Sequence, residues 1–109
     1  MPKTVILSLG GSLIVPKDID INFLANFKKT IEKYIKKGYK FVIYCGGGKL
    51  ARNLQQAASK ITQASNEDLD WLGIYATRLN ALLLRYILGK NAQDPIVANT
   101  NAKINLKKN

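Results

Sequence analysis

Apolar residues open the chain as a short, nearly unbroken run: Val5, Ile6, Leu7 and Leu9, with Ser8 the one small polar residue among them. Such a run predicts a strand over residues 3–9, buried on both faces of a sheet. Gly10-Gly11-Ser12 ends it, and residues 13–19, with Pro16, read as a connection. The period then changes. Leu24, Phe27, Ile31, Tyr34 and Ile35 recur at helical spacing, with Lys28, Lys29, Glu32, Lys33, Lys36 and Lys37 largely on the other side. Asp20 or Asn22 is the predicted cap, the helix runs to about residue 37, and Gly38 stands just past its end.

A second apolar run, Phe41 to Cys45, predicts a strand over residues 40–45, followed at once by Gly46-Gly47-Gly48. Residues 49 to about 61 read as a helix with Leu50, Leu54, Ala57, Ala58 and Ile61 inward. Ser65 stands three residues ahead of Asp68, the spacing of a capping box. A long helix then runs to about residue 88 on a stripe of Leu72, Ala76, Leu79, Leu83 and Tyr86, and Gly89 stops it. Residues 90–109 change character, with five asparagines, four lysines and few strong apolar residues, and take no assignment. Strands alternating with helices predict an α/β fold with parallel pairing. Two parallel strands under three helices make a poor independent core, so the pattern reads as short of a complete fold.

Composition removes several functions. One cysteine and no histidine exclude an intrachain disulfide, a zinc site, and Ser/His/Asp or Cys/His catalytic sets. No apolar run approaches the roughly 20 residues of a membrane span, and the start of the chain does not read as a secretory signal. A reducing, cytoplasmic setting is the expectation. The net charge of +10 raises nucleic acid or another polyanion as a partner. Residues 1–60 carry eleven basic against three acidic residues, and 61–109 six against four, so the excess belongs to the first half. Much of it lies on the polar side of the first long helix. No aromatic–basic stacking platform accompanies it, which argues against nucleic acid.

The chemistry gathers at the two strand-to-glycine junctions. Glycine lets backbone N–H groups approach an anion closely, and a helix N-terminus adds a favourable dipole. Ligands of open parallel sheets collect at the carboxyl ends of strands, so two adjacent junctions suit a phosphate-rich ligand. Lys49 and Arg52 follow the triple glycine and are placed to reach phosphate oxygens, Arg52 as a fork and Lys49 as a point charge. Residues 46–51 also satisfy the dinucleotide pattern G-x-G-x-x-G/A, with Asp70 about 20 residues on. That fold wants the acid at the end of a strand, whereas Asp70 falls near a helix start. The P-loop pattern fails for want of Gly-Lys-Ser/Thr. Cys45 reads as a small buried hydrophobe.

These residues resemble the amino acid kinase family, and within it the archaeal-type uridylate kinase branch. Residues 5–12 look like the family's opening strand and phosphate loop, and residues 46–52 like its second loop. The block from Asp70 through Trp71, Gly73 and Arg78 to Asn80 and Ala81 is the most specific element. The resemblance covers residues 3–88. It implies a three-layer, mainly parallel α/β sandwich, of which this chain holds the N-terminal portion. It also implies transfer of the γ-phosphoryl group of ATP to UMP with Mg2+, and a homohexamer. On that basis Gly10, Gly11 and Ser12 line the ATP phosphates, Gly48 and Arg52 lie on the ATP side, and Gly47 and Asp70 contact UMP. Phosphoryl transfer asks mainly for positioning and charge stabilisation, so the lack of histidine is no obstacle. That lack argues against isopentenyl phosphate kinase, a relative that uses one.

Two departures stand out. Ser8 occupies a position where many relatives carry lysine, which leaves Lys49 as the weak candidate for charge stabilisation. Members also run to roughly twice this length, above the usual single-domain size. Residues 1–89 are therefore expected to form the N-terminal part of the kinase domain, on the phosphate-acceptor side. Residues 90–109 are expected to be a polar tail or the start of a continuation. The alternatives are another member of the family, a basic polyanion-binding module and a dinucleotide-dependent enzyme.

Overall fold

The computed structural model describes residues 3–92. The tail 93–109 lies outside them. Strand β1 (Thr4–Leu9) leads through a one-turn helix α1 (Gly11–Ile14) to α2 (Ile21–Lys36), β2 (Lys40–Cys45), α3 (Gly48–Ile61) and α4 (Asn66–Leu88). A short 3₁₀ turn, Gly89–Asn91, follows. β1 and β2 pair in parallel from Thr4 opposite Lys40 to Leu9 opposite Cys45, the crossover through α2 that a βαβ unit requires.

Local chemistry sets the helix ends. Asp20, not Asn22, caps α2: its Oδ1 accepts from the Phe23 N–H at 2.9 Å. Asp20→Ala should lower stability by about 1 kcal/mol, and Asn22→Ala by less than about 0.5 kcal/mol. Urea denaturation of the two variants decides between them. α2 ends where Gly38, at φ +95°, turns the chain out of the helix. Ser65 and Asp68 form the expected capping box, each side chain accepting from the other's backbone N–H.

The core lies between one face of the sheet and helices α2 and α4. Leu9, Leu24, Ile31, Leu84 and Leu88 are buried there, with Leu7, Phe27, Phe41, Ile43 and Cys45 packed against them. The opposite sheet face is open: Ile6 is 69% exposed and Tyr44 59% exposed. This corrects the expectation of strands buried on both faces. Among the described residues no element covers the far side, so an unbroken apolar run has only alternate residues under cover. The third layer of the expected sandwich is thus not formed by the described residues.

Three further corrections concern faces. The stretch after β1 is more than a connection, since α1 and the next residue bring Ile14 and Val15 into the core. The buried stripe of α4 is Ala76, Asn80, Leu84 and Leu88. Leu79 and Tyr86, predicted inward, are exposed, because α2 and β2 contact the helix along a neighbouring stripe. α3 buries no residue fully, and Ile61 is 85% exposed, since its partners α1 and α4 touch only part of its circumference.

Candidate functional site

Leu9 and Cys45 are the last register pair, so both glycine segments leave the sheet side by side at its carboxyl edge. The Gly46 N–H donates to the Leu9 carbonyl at 3.2 Å, and the Lys49 N–H to the Val15 carbonyl at 3.2 Å. The two backbones meet directly. The space a Cβ would take at Gly11 is filled by the backbone of residues 46–48. At Gly48 it is filled by the backbone of Gly11 and Ser12. Gly48 also sits at φ +60°, a left-handed conformation that favours glycine. Gly10, by contrast, faces open space.

The predicted residues are brought together in part. Gly10, Gly11 and Ser12 adjoin Gly47, Gly48 and Lys49, with Gly11 buried and Gly10 and Ser12 exposed. Arg52 lies exposed one turn into α3. Asp70 lies exposed near the start of α4, one turn before Gly73, whose carbonyl is among the atoms nearest Gly47. The Gln55 side chain ties α3 to α4 just ahead of it, with Nε2 donating to the Leu69 carbonyl at 2.9 Å. Among the described residues no strand stands between α3 and α4, so the dinucleotide arrangement, with its acid at a strand end, is not formed.

The electrostatics at the opening of α3 point to an anion. The first N–H groups of a helix have no acceptor within it, and its N-terminus carries partial positive charge. Proteins usually place acids there. The first turn of α3 has none and carries Lys49 instead, with Arg52 opening the next turn. Two cations on a positive dipole are unfavourable alone, by a few tenths of a kcal/mol each, and become favourable beside phosphate. The hollow beneath the second loop does not suit this role. It is lined mainly by Val15, Leu50, Leu79, Leu83 and Tyr86 and is apolar. Cys45 packs against the core, and burial pushes its thiol pKa up, which keeps it protonated and unreactive.

Sequence reasoning named Asn80 only within the block that begins at Asp70 and gave it no role. It is buried at 3% exposure on α4, and its Nδ2 donates to the carbonyls of both Gly46 at 2.9 Å and Gly47 at 3.1 Å. The one available signal was a polar residue in register with Ala76, Leu84 and Leu88. Its partners, 33 and 34 positions away, could not be read from spacing.

Residues 3–106 match the model of the amino acid kinase family. The uridylate kinase of Thermococcus kodakarensis is 38% identical over 94 residues, covering 85% of this chain and 40% of that protein. That of Methanococcus maripaludis is 34% identical over 96 residues, covering 87% and 42%. The crystal structure of uridylate kinase from Archaeoglobus fulgidus superposes with a TM-score of 0.66 at 38% identity, over 81% of this chain and 38% of that one. The chain thus spans about 40% of the length of the curated relatives it matches.

Proposed function

Because this chain belongs to the amino acid kinase family, we propose that it forms the phosphate-binding part of a uridylate kinase, which passes the γ-phosphoryl group of ATP to UMP. The observation that carries this is the pair of glycine loops packed backbone to backbone at adjacent strand ends, with Lys49 and Arg52 opening the helix behind them. The names and similarity of the relatives support UMP as the acceptor.

In this reading an oxygen of the UMP phosphate attacks the γ-phosphorus. The bond to the β,γ-bridging oxygen breaks, its electron pair stays on ADP, and UDP results. The transition state spreads negative charge over the transferred oxygens. Gly10, Gly11 and Ser12 hold the ATP phosphates through the first loop, and Gly48 and Arg52 approach the same phosphates from α3. Gly47 contacts UMP and Asp70 accepts from its ribose hydroxyls. Lys49 is the candidate for charge stabilisation. The described residues hold no cluster of three acidic, cysteine or histidine side chains for Mg2+, so no step is assigned through the metal. No helix among them is long and apolar enough to cross a membrane. We place the enzyme in the cytoplasm with its nucleotides, as a homo-oligomer, with residues 1–89 on the acceptor side of the domain.

A chimaera tests this. Residues 3–88 replace the matching segment of the Thermococcus kodakarensis enzyme, and UDP formation from ATP and UMP is followed. The chimaera should turn over UMP, and Arg52→Ala in it should lower kcat/KM at least tenfold, about 1.4 kcal/mol of transition-state stabilisation. Residues 1–109 alone should bind ATP and UMP weakly and make no UDP. A folded chimaera that ignores UMP but phosphorylates another acceptor assigns the chain to a different member of the family. Salt-sensitive binding of RNA or DNA without nucleotide binding leaves the polyanion module instead.

A further inference from the structure

The geometry points to Asn80 as the residue that aims the second glycine loop at phosphate, acting through the backbone and not by touching the ligand. This rests on the phosphate reading of the loops given above. A carboxamide has two N–H donors on one nitrogen. Asn80 spends both on consecutive carbonyls, those of Gly46 and Gly47. In a planar trans peptide the carbonyl of one residue points opposite the N–H of the next. Holding both carbonyls toward α4 therefore turns the N–H groups of Gly47 and Gly48 away from it. Successive N–H groups on one side of a turn form an anion-binding concavity.

Glycine alone does not hold such a shape, because it samples both halves of φ space freely. Three glycines in a row need an external restraint. Asn80 supplies it from a rigid 23-residue helix, buried between Ala76 and Leu84. A polar group placed so deep is costly without partners, and here both donors are used. The Gly47 carbonyl also accepts from the Ala51 N–H at 3.3 Å, so the same peptide starts α3 and is fastened to α4.

The test follows the amide signals of Gly47 and Gly48 by NMR while the 109-residue chain is titrated with ATP, UMP and inorganic tripolyphosphate. Asn80→Asp keeps the shape but removes both donors when ionised, Asn80→Ala removes the group, and Asn80→Ser keeps one donor. Leu84→Ala, one turn further along α4 in the apolar core, leaves both Asn80 hydrogen bonds in place and serves as the stability control. Conditions are chosen so that all variants have the same folded fraction. The Asp and Ala variants should bind tripolyphosphate at least tenfold more weakly, the Ser variant should fall between, and Leu84→Ala should match wild type. If Asn80→Asp does not fold, the Ser variant decides. Wild-type affinity in the Asn80 variants, or an equal loss in Leu84→Ala, overturns the positioning role. Wild-type glycine signals that respond to none of the three compounds overturn the phosphate reading of the loop, and the role of Asn80 with it.

Discussion

Alanine at Gly11 should cost about 3 kcal/mol of stability, the upper end of what overpacking a filled interior costs, while alanine at Gly10 should change it by less than about 0.5 kcal/mol. The two glycines are adjacent in sequence and belong to the same loop. They differ in what surrounds the missing Cβ. At Gly11 that space holds the backbone of residues 46–48, which cannot rotate aside as a flexible side chain would. Accommodating a methyl group means moving one glycine loop off the other, which also loosens the hydrogen bond from Gly46 to Leu9. At Gly10 nothing lies within reach, and its φ of −59° suits any residue. Alanine there also restricts the unfolded chain, which offsets part of any loss. Urea unfolding followed by far-UV circular dichroism reads both. Equal midpoints for the two variants would show that the loops do not pack as described.

Ile14→Ala should be nearly as damaging, at about 3 kcal/mol within the range for large-to-small core changes. Ile14 is 0% exposed, the largest fully buried side chain among the described residues. It anchors α1, and with it the first glycine loop, to the core formed with α2 and α4. Ile6→Ala removes the same atoms from the middle of a strand and should change stability by less than about 0.5 kcal/mol, because Ile6 is already largely in water. The comparison needs only the unfolding midpoints of the two variants. If Ile6→Ala proves the more destabilising, the far face of the sheet is covered in solution.

Those isoleucines also mark where sequence reading stopped. Ile6, in an apolar run, has the stronger sequence signal for burial, and Ile14, in a stretch next to Pro16, the weaker. The structure reverses them. Strand limits, the capping box at Ser65, the helix stop at Gly38 and the pairing of two glycine junctions were all legible. The first three depend on residues a few positions apart, and the pairing of the junctions on the parallel sense that alternating strands and helices impose. The choice between Asp20 and Asn22 as cap was not, since both are good caps and only the path of the chain selects one. For the site, Gly11, Gly48 and Lys49 were legible from composition at strand ends. That Gly11 and Gly48 occupy each other's Cβ space was not.

The sequence by itself determined the α/β alternation, the parallel sense of the strands, the exclusion of histidine chemistry and of an intrachain disulfide within these 109 residues, and the placing of glycine and positive charge at two adjacent strand ends. These follow from local periodicity, turn chemistry and residue type. Only the tertiary structure decided which faces are covered, because burial depends on neighbours far along the chain. It placed α2 and α4 on one side of the sheet, left the other open, and shifted the buried stripe of α4 onto Asn80. It also brought that asparagine to carbonyls more than thirty residues away, a contact that no spacing rule encodes.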